Sequence, residues 1–562
     1  MEKIWEIEKR KYDDLFTQLL YNRGVIKDSV SEDDFSKYLE PDFLKDMNNP
    51  FDLTDMKGAV DRIVKAIQNK EKIGIFSDYD ADGIPGAALL YLAFKKLKVP
   101  TSVYIPNREG GYGLSREGID QLKEEGCSLI ITIDLGIRNI DEADYCKQIG
   151  IDLIITDHHL PGDKLPLASY VINPKRKNDR YPFKDLSGCG VAYKLIQAIA
   201  SNFSRELDEG FLKWNLDLVA ISTICDVVSL ADENRIIAKF GLKVLSKTKN
   251  IGLQALIKIS NIEKEKISSY HIGFLIGPRI NAPGRIDHAT KSFELLTADD
   301  YEKADHLAQE LDLKNQERQL EMDAIEKASI EEIINNNLAD KKIIILKGEW
   351  SKGVIGPTAS RLVEKFYRPV LLFSTKEKVF TGSARSVSGV NIVDLIERVK
   401  EHVLKYGGHT GAAGLTVLQE RYDDFVKSIE EEAEKIISEK VLQKRIKIDA
   451  EIKLSDITFK LYDQILKMEP FGLGNSRPVF MVADTSFENF RFVGKNQDHF
   501  SAVARDSQSK IKSIYFNFKH KDWINRDARF DLVFTVNEDN WNNEKKLSIN
   551  IIDLKQRASN GQ

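Results

Sequence analysis

The stretch GIFSDYDADG, residues 74–83, decides the fold, because an apolar run leads directly into three aspartates. Two later stretches have the same form, ITIDLG at 131–136 and IITDHH at 154–159. Their apolar runs have the length of buried strands, and helical patterns lie between them at 86–97 and 115–125. Strands that alternate with helices predict an α/β fold with a parallel sheet covered by helices.

The ends of these strands carry polar side chains with metal-binding potential. Ligands of open parallel sheets bind beyond the carboxyl ends of the strands, so the three ends should converge on one crevice. The apolar segment LVAISTICDVVSL (218–230) supplies a further aspartate. The residues expected to meet there are Asp78, Asp80, Asp82, Asp134, Asp157, His158, His159 and Asp226.

Each of these features alone also has an ordinary structural explanation. DADG is compatible with an Asx-type turn, and Asp134 with a turn or a helix N-cap. His158 and His159 are compatible with surface histidines, and Asp226 standing alone would favour an N-cap. The cluster as a whole is harder to explain in this way, because carboxylates at one sheet edge repel one another unless cations hold them.

The types of side chain in the cluster indicate which cations the site would bind. Oxygen-rich sites with one or two imidazoles suit Mn²⁺ or Mg²⁺ better than structural zinc. Two such ions about 4 Å apart form a familiar arrangement for phosphoryl transfer. The sequence therefore predicts a two-ion site for phosphoester hydrolysis.

Composition limits the class of protein. The chain has 562 residues, 42% of them hydrophobic and 30% charged, which is typical of a globular protein of several domains. It contains no apolar stretch of the roughly 20 residues that a membrane span needs, and we expect a cytoplasmic protein without a membrane partner. The net charge of −5 neither indicates nor excludes nucleic-acid binding. The spacing of the cysteines favours reduced thiols: Cys127, Cys146, Cys189 and Cys225.

Changes of pattern predict five regions. The first is helical, the second holds the strand-end acids, and the third ends in a long helix over about 300–340 without proline or glycine. A second α/β unit follows, and short alternating segments then predict a small β-barrel. The predicted boundaries are 1–50, 51–245, 246–338, 339–440 and 441–562.

The motifs DYDADG, TIDLG, DHH and ICDVV resemble, in order and strand context, the four motifs of the DHH superfamily of phosphoesterases. Further segments are similar to its RecJ family of exonucleases, and the similarity covers nearly the whole chain. They include YIPNREGGYGL (104–114), LSGCGVAYKL (186–195), GPRINAPGRI (277–286), GSARS (382–386) and YGGHTGAAG (406–414). The resemblance implies a parallel-sheet DHH domain, a long helix, a smaller α/β DHH-associated domain and a C-terminal OB-fold barrel.

The resemblance also implies roles for single residues. The metal ligands it implies are Asp80, Asp82, Asp134, His158 and Asp226, with Asp134 bridging the ions. His159 would contact the phosphate or lie just outside the ligands, and Asp157 and Asp78 would support them. Phe76 stands where many DHH enzymes have a histidine, which leaves open whether one ion is held more weakly or Asp78 compensates.

Substrate contacts are expected at loops and strand ends. The small residues of GGHTGAAG suit either an anion site or close helix packing. The expected substrate-binding residues are Arg108, Arg279, Asn281, Arg285, Ser383, Arg385 and His409. Arg108 is a candidate for the 5′ end, although an isolated arginine is more often a surface residue. Aromatic residues among basic ones in the barrel suit the stacking of single strands, and most of them should nevertheless be core.

The expected activity is 5′→3′ hydrolysis of single-stranded DNA to mononucleotides with Mn²⁺ or Mg²⁺, in DNA repair and recombination. Two other functions stay open: a DHH phosphodiesterase of short oligonucleotides or cyclic dinucleotides, and a non-catalytic DHH replication scaffold. The C-terminal barrel disfavours the phosphodiesterase of small substrates, because such substrates need no long binding channel. The complete set of acidic residues in the four motifs disfavours the non-catalytic scaffold. We expect a monomer, with a helicase and a single-strand-binding protein as candidate partners. A rigid helix at 300–340 should set a groove too narrow for duplex DNA.

Overall fold

The computed structural model describes residues 3–26, 32–106, 113–286, 288–519, 523, 528–541 and 544–557. The chain forms two compact units. One contains Asn48–Val228 and Phe240–Lys444, and the other contains Lys3–Met47, Ser229–Lys239 and Arg445–Gln562. Among the residues that the structure describes, every helix is too short or too polar to cross a membrane.

The strands and helices are numbered in chain order. The strands are β1 (Ile4–Ile7), β2 (Lys72–Ser77), β3 (Thr101–Tyr104), β4 (Cys127–Ile133), β5 (Asp152–Thr156), β6 (Tyr170–Ile172), β7 (Ile344–Gly348), β8 (Val370–Ser374), β9 (Val379–Arg385), β10 (Lys405–His409), β11 (Ala412–Leu418), β12 (Arg445–Ile448), β13 (Ala450–Glu451), β14 (Phe480–Val493), β15 (His499–Arg505), β16 (Lys510–Tyr515), β17 (Phe530–Trp541) and β18 (Glu544–Gln556). The helices are α1 (Leu15–Asn22), α2 (Glu32–Leu39), α3 (Met56–Gln68), α4 (Gly83–Lys96), α5 (Arg116–Glu124), α6 (Ile140–Gln148), α7 (Gly188–Ala200), α8 (Glu209–Trp214), α9 (Leu216–Cys225), α10 (Asp232–Leu245), α11 (Ile251–Ile259), α12 (Ser269–His271), α13 (Gly277–Asn281), α14 (Pro283–Ile286), α15 (Thr290–Leu296), α16 (Tyr301–Asn335), α17 (Lys352–Phe366), α18 (Ile392–Glu397), α19 (Tyr422–Ile436) and α20 (Phe459–Lys467). One π-helical turn, Ile272–Ile276, joins α12 to α13.

The predicted parallel sheet is confirmed. Its order is β3-β2-β4-β5-β6, and every pair in it is parallel. The central strands are almost continuous apolar runs and are nearly completely buried. Such runs are typical of parallel strands whose two faces are both covered by helices.

The predicted long helix is α16, which has 35 residues and a span of roughly 52 Å at 1.5 Å per residue. Its N-cap is Asp300, whose side chain accepts a hydrogen bond from the Lys303 N–H. The sheet that follows has the order β10-β11-β9-β8-β7, and only β7 and β8 are parallel in it. The two sheets and the helix belong to the same compact unit.

The predicted C-terminal barrel is also confirmed. Strands β14, β15, β16, β18 and β17 pair in that order, and pairing of β14 with β17 closes the ring. Its core is rich in phenylalanine, including Phe480, Phe500 and Phe530. The closed sheet leaves few unpaired edges.

The N-terminal segment contains a strand in addition to the helices that the sequence predicts. It begins with β1, which pairs in parallel with β12, and Phe16, Leu19 and Leu20 of α1 belong to the core of the barrel unit. Helix α1 has an apolar face, and burial of that face against the barrel removes it from water. The other predicted boundaries stay predictions.

Candidate metal centre

The strand-end residues converge as the sequence predicts. Strands β2, β4 and β5 are adjacent, and each is followed directly by an aspartate: Asp78, Asp134 and Asp157. Asp226 is the C-cap of α9, which brings a fourth carboxylate from a separate element. The parallel sheet therefore gathers residues that lie far apart in the sequence.

His158 lies at the centre of the cluster. Its Nε2 is 3.1 Å from Oδ1 of Asp134 and 3.5 Å from carboxylate oxygens of both Asp82 and Asp226. Three groups of side chains could each hold a metal ion, because within each group the candidate ligand atoms lie within 4.8 Å of one another. The groups are Asp134 with His158 and His159, Asp82 with His158 and Asp226, and Asp78 with Asp80 and Asp134.

The electrostatics of the cluster suit a cation. Burial and the neighbouring carboxylates raise the pKa of Asp78 and of Asp134 well above the ordinary value. The same two causes raise the pKa of Asp226 to about 9. A divalent cation would remove this repulsion and favour the ionised carboxylates.

His158 gives an independent indication that the residues fit a metal ion. Both ring nitrogens are buried, and neither makes a hydrogen bond to any group in the described part of the chain. Burial lowers the pKa of the ring and favours the neutral imidazole, which is the form that ligates metals. Carboxylate oxygens with one imidazole form a donor set that suits Mn²⁺ or Mg²⁺.

Asp157 orients the two histidines. Its Oδ1 accepts hydrogen bonds from the backbone N–H groups of His158 and His159 and lies 2.8 Å from Nδ1 of His159. Burial alone would raise the pKa of Asp157, but the hydrogen bonds and charge of His159 hold it below the ordinary value. The ion pair also raises the pKa of His159 against the opposing effect of burial.

Asp82 is held by groups that the sequence analysis did not identify. Its two carboxylate oxygens accept hydrogen bonds from the N–H groups of Gly188 and Cys189, at 2.6 and 2.7 Å, and from the Ser222 hydroxyl at 2.5 Å. Free N–H groups at the start of a helix stabilise an anion, so the N-terminus of α7 fixes this carboxylate. The signal was the SGCG motif at 187–190, where serine precedes two glycines at a helix start.

Gly188 also lies against Asp134. A Cβ at position 188 would lie 2.5 Å from Cβ of Asp134 and 2.6 Å from its Oδ1. Asp134 itself has a left-handed backbone, with φ of +63°, which an aspartate tolerates better than most residues. The glycine and the unusual backbone together place this carboxylate deep in the cluster.

Phe76 points into the apolar core and contributes nothing to the cluster. It is fully buried, and its ring centroid lies 4.8 Å from that of Tyr104. Asp78, two residues later, shares a candidate ligand group with Asp80 and Asp134. This geometry favours the alternative in which Asp78 compensates for the missing histidine.

The predicted substrate residues of the GPRINAPGRI segment have contacts within the protein. Asn281 accepts a hydrogen bond from the Ala81 N–H at 2.8 Å and so supports the DADG loop. The guanidinium of Arg279 binds Asp312 and the Leu275 carbonyl, so in this structure it is engaged in packing. Arg285 donates to the Gly353 carbonyl, and its charge lowers the pKa of Asp80, which burial and Asp82 raise overall.

The second sheet brings together the three predicted residues of the DHH-associated region. Ala412 is the register partner of both His409 on β10 and Arg385 on β9, and Ser383 lies two residues before Arg385. Register partners and alternate residues share one face of a sheet, so all three side chains lie on the same face. A Cβ at Gly356 of α17 would lie 2.9 Å from Nη2 of Arg385 and 3.0 Å from Oγ of Ser383.

Arg108, the candidate for the 5′ end, lies outside the described residues.

Lys175 is a cation near the cluster that the sequence analysis missed. Its charge lowers the pKa of Asp226, although burial and other carboxylates raise that pKa overall. Asn173 anchors the loop, because its side chain donates to the His159 carbonyl and accepts from the Lys175 N–H. The signal was the NPK sequence, which directly follows β6.

The barrel aromatics divide into core and surface. Phe492 stacks on Phe518 against the core, and Trp523 packs there too. Phe490 and Phe516 are 36% and 50% exposed. The side chain of Trp541 lies outside the described residues.

Comparison with known families agrees with this architecture. Residues 72–223 match the N-terminal domain of the DHH family, residues 340–435 match the DHHA1 domain, and residues 448–553 match the RecJ OB domain. The fold and the site therefore define a phosphoesterase of the DHH class.

Relatives narrow the class. The chain is 34% identical over 536 residues to the single-stranded-DNA-specific exonuclease RecJ of Haemophilus influenzae, covering 91% of this chain and 92% of that protein. It is 36% identical over 512 residues to RecJ of Bacillus subtilis, covering 90% of this chain but 64% of that longer protein. The chain belongs to the RecJ family.

Solved structures agree with this assignment. A crystal structure of Thermus thermophilus RecJ in complex with Mn²⁺ matches with a TM-score of 0.84 at 24% identity, over 99% of this chain and 80% of that chain, which shows the shared fold. A crystal structure of an exonuclease RecJ bound to manganese matches with a TM-score of 0.60 at 30% identity, over 68% of this chain and 96% of that chain.

Proposed function

We propose that the chain is a metal-dependent exonuclease that is specific for single-stranded DNA. The observation that carries the proposal is the complete carboxylate and histidine cluster at the ends of β2, β4 and β5 in a chain of the RecJ family. A non-catalytic scaffold has no need of buried carboxylates that repel one another, so the cluster favours an enzyme.

The proposed cofactor is a pair of divalent ions, either Mn²⁺ or Mg²⁺. The residues that would hold them are Asp80, Asp82, Asp134, His158 and Asp226, and Asp78 is a further candidate. When bound, such ions supply an activated water and positive charge for the phosphate. The protein contributes the fixed positions of the ligands, through the N-terminus of α7 at Asp82 and through Asp157 at the histidines.

Several side chains of this chain are candidates for contacts with the substrate itself. His159 is 44% exposed in its side chain, and its ion pair with Asp157 favours the protonated ring. A protonated imidazole donates to a phosphate oxygen. Ser383, Arg385 and His409 share a face of the second sheet and would hold a phosphate of the same strand. Arg285 and Lys175 add positive charge near the carboxylates.

We propose 5′→3′ polarity, with mononucleotide products, in DNA repair and recombination. A groove between the cluster and the Ser383–Arg385–His409 face, with its width set by α16, would admit one strand and exclude a duplex. Contacts to phosphates carry no sequence information, so cleavage should show little base preference. Arg108 stays the candidate for the 5′ end, and a helicase and a single-strand-binding protein stay candidate partners.

The test compares 5′-labelled and 3′-labelled oligonucleotides, single-stranded and blunt duplex, with Mn²⁺, with Mg²⁺ and with a chelator. The proposal predicts metal-dependent release of mononucleotides from the 5′ end of single strands and poor cleavage of blunt duplex at low salt. Efficient digestion of blunt duplex would contradict the narrow groove, and release from the 3′ end would contradict the polarity. Absence of cleavage with either metal would contradict the exonuclease itself.

A further inference from the structure

Two large aromatic side chains are exposed and stacked on each other in the helical segment that precedes Gly277 and Asn281. Tyr270 is 59% exposed and Phe274 is 67% exposed. Their ring centroids are 4.9 Å apart, with an interplanar angle of 24°. They flank the start of the π-helical turn Ile272–Ile276, and single π turns are frequent at functional sites. The pair presents a flat apolar surface that the described chain leaves open to solvent.

The helical segment that carries the rings leads to the acidic cluster. The π-helical turn that contains Phe274 continues directly into α13, so Gly277 and Asn281 follow Phe274 by three and seven residues on one continuous helical segment. A Cβ at Gly277 would lie 2.3 Å from Sγ of Cys225, the residue directly before the candidate ligand Asp226. The side chain of Asn281 accepts a hydrogen bond from the backbone N–H of Ala81, the residue between the candidate ligands Asp80 and Asp82.

The segment is also anchored firmly. Arg279 pairs with Asp312 of α16 and with the Leu275 carbonyl, one turn back along the same segment. A Cβ at Gly273 would lie 3.9 Å from Cγ2 of Ile224 on α9, which is ordinary van der Waals contact. These contacts fix the backbone that carries the two rings relative to the cluster.

We propose that Tyr270 and Phe274 form a stacking site for a nucleobase of the substrate strand, one or a few nucleotides from the phosphate that is cleaved. The proposal rests on the proposed function and adds a base contact to its phosphate contacts. Every base offers a π face, so a stacking site tolerates all sequences while it fixes the position of the strand. The fit is to an unpaired base, because the faces of paired bases in a duplex are already stacked on their neighbours.

The test scans a 5′-labelled oligonucleotide in which one abasic nucleotide is placed at each of the first eight positions. The rate of release of the label at low substrate concentration, in Mn²⁺, reports kcat/KM for each substrate. The wild-type protein should lose about ten-fold in kcat/KM when the abasic nucleotide occupies one or two particular positions, because stacking on that base is lost. The double variant Tyr270→Leu/Phe274→Leu should be about ten-fold slower on the intact strand and should show no further loss at those positions.

Three controls separate the outcomes. Tyr301→Leu removes another aromatic residue of the same unit, 64% exposed, and should retain the wild-type pattern. Phe274→Trp keeps a ring and should retain the position-specific loss, and circular dichroism should show that all variants are folded. An abasic loss that persists unchanged in the double variant would overturn the stacking site while leaving the exonuclease intact. Failure of the wild-type protein to cleave the intact strand would instead overturn the proposed function.

Discussion

Gly188→Ala should disable the metal centre without unfolding the protein. The added Cβ would lie 2.5 Å from Cβ of Asp134, whereas carbon atoms in good contact are about 3.5–4.0 Å apart. One of the two groups must therefore move by roughly 1 Å. Asp134 is buried with a left-handed backbone, and the Gly188 N–H holds Asp82, so either movement displaces a candidate ligand.

A misplacement of about 1 Å at a reacting centre costs on the order of 100-fold in rate. We expect a loss of this size in the single-turnover cleavage of a 5′-labelled single strand, together with weaker Mn²⁺ binding. The matched control is Gly190→Ala on the same helix, where the added Cβ would meet its nearest atoms at 3.3 and 3.5 Å. That variant should cleave normally, and alanine should favour the helix. Wild-type cleavage by Gly188→Ala would refute the argument that close approach at this glycine positions the ligands.

Three further predictions address stability and binding. Asp217 is buried and its pKa is raised to about 6 from 3.8 by burial, so its contribution to stability is present below about pH 4 and lost as the pH rises through 6. By linkage, the loss is about 3 kcal/mol in the free energy of unfolding, and Asp217→Asn should remove it. The free energy of unfolding should therefore differ less between pH 4 and pH 7 in this variant than in the wild type. Arg385→Ala should weaken binding equally for all sequences and flatten its salt dependence in fluorescence anisotropy, and a sequence-dependent loss would argue against a phosphate contact. Phe490→Ala combined with Phe516→Ala should weaken binding of long single strands by ten-fold or more and leave cleavage of very short ones nearly unchanged, whereas an equal loss on both would mean that the barrel only supports the fold.

The sequence predicts the sheet and the cluster because both follow from local patterns. Apolar runs of strand length end in aspartates, and parallel topology places those ends together without knowledge of any long-range contact. The long helix and the barrel likewise follow from periodicity.

Contacts between residues that lie far apart in the sequence could not be predicted from local patterns. The hydrogen bonds of Asp82 come from residues more than 100 positions away, and no local pattern shows which helix start will face it. The ion pair of Arg279 could not be predicted from the sequence, because its partner, Asp312, lies on a different helix. Strand β1 was missed because its pairing partner, β12, is more than 400 residues away.

Mn²⁺ binding by Asp134→Ala tests the central claim most directly, because Asp134 is the predicted bridge between the ions. Calorimetric titration of the wild-type protein should show two Mn²⁺ ions, and the variant should lose one or both. Cleavage of single-stranded DNA should be abolished, while circular dichroism remains that of the wild type. Near-normal turnover and unchanged Mn²⁺ stoichiometry in the variant would contradict the two-ion centre.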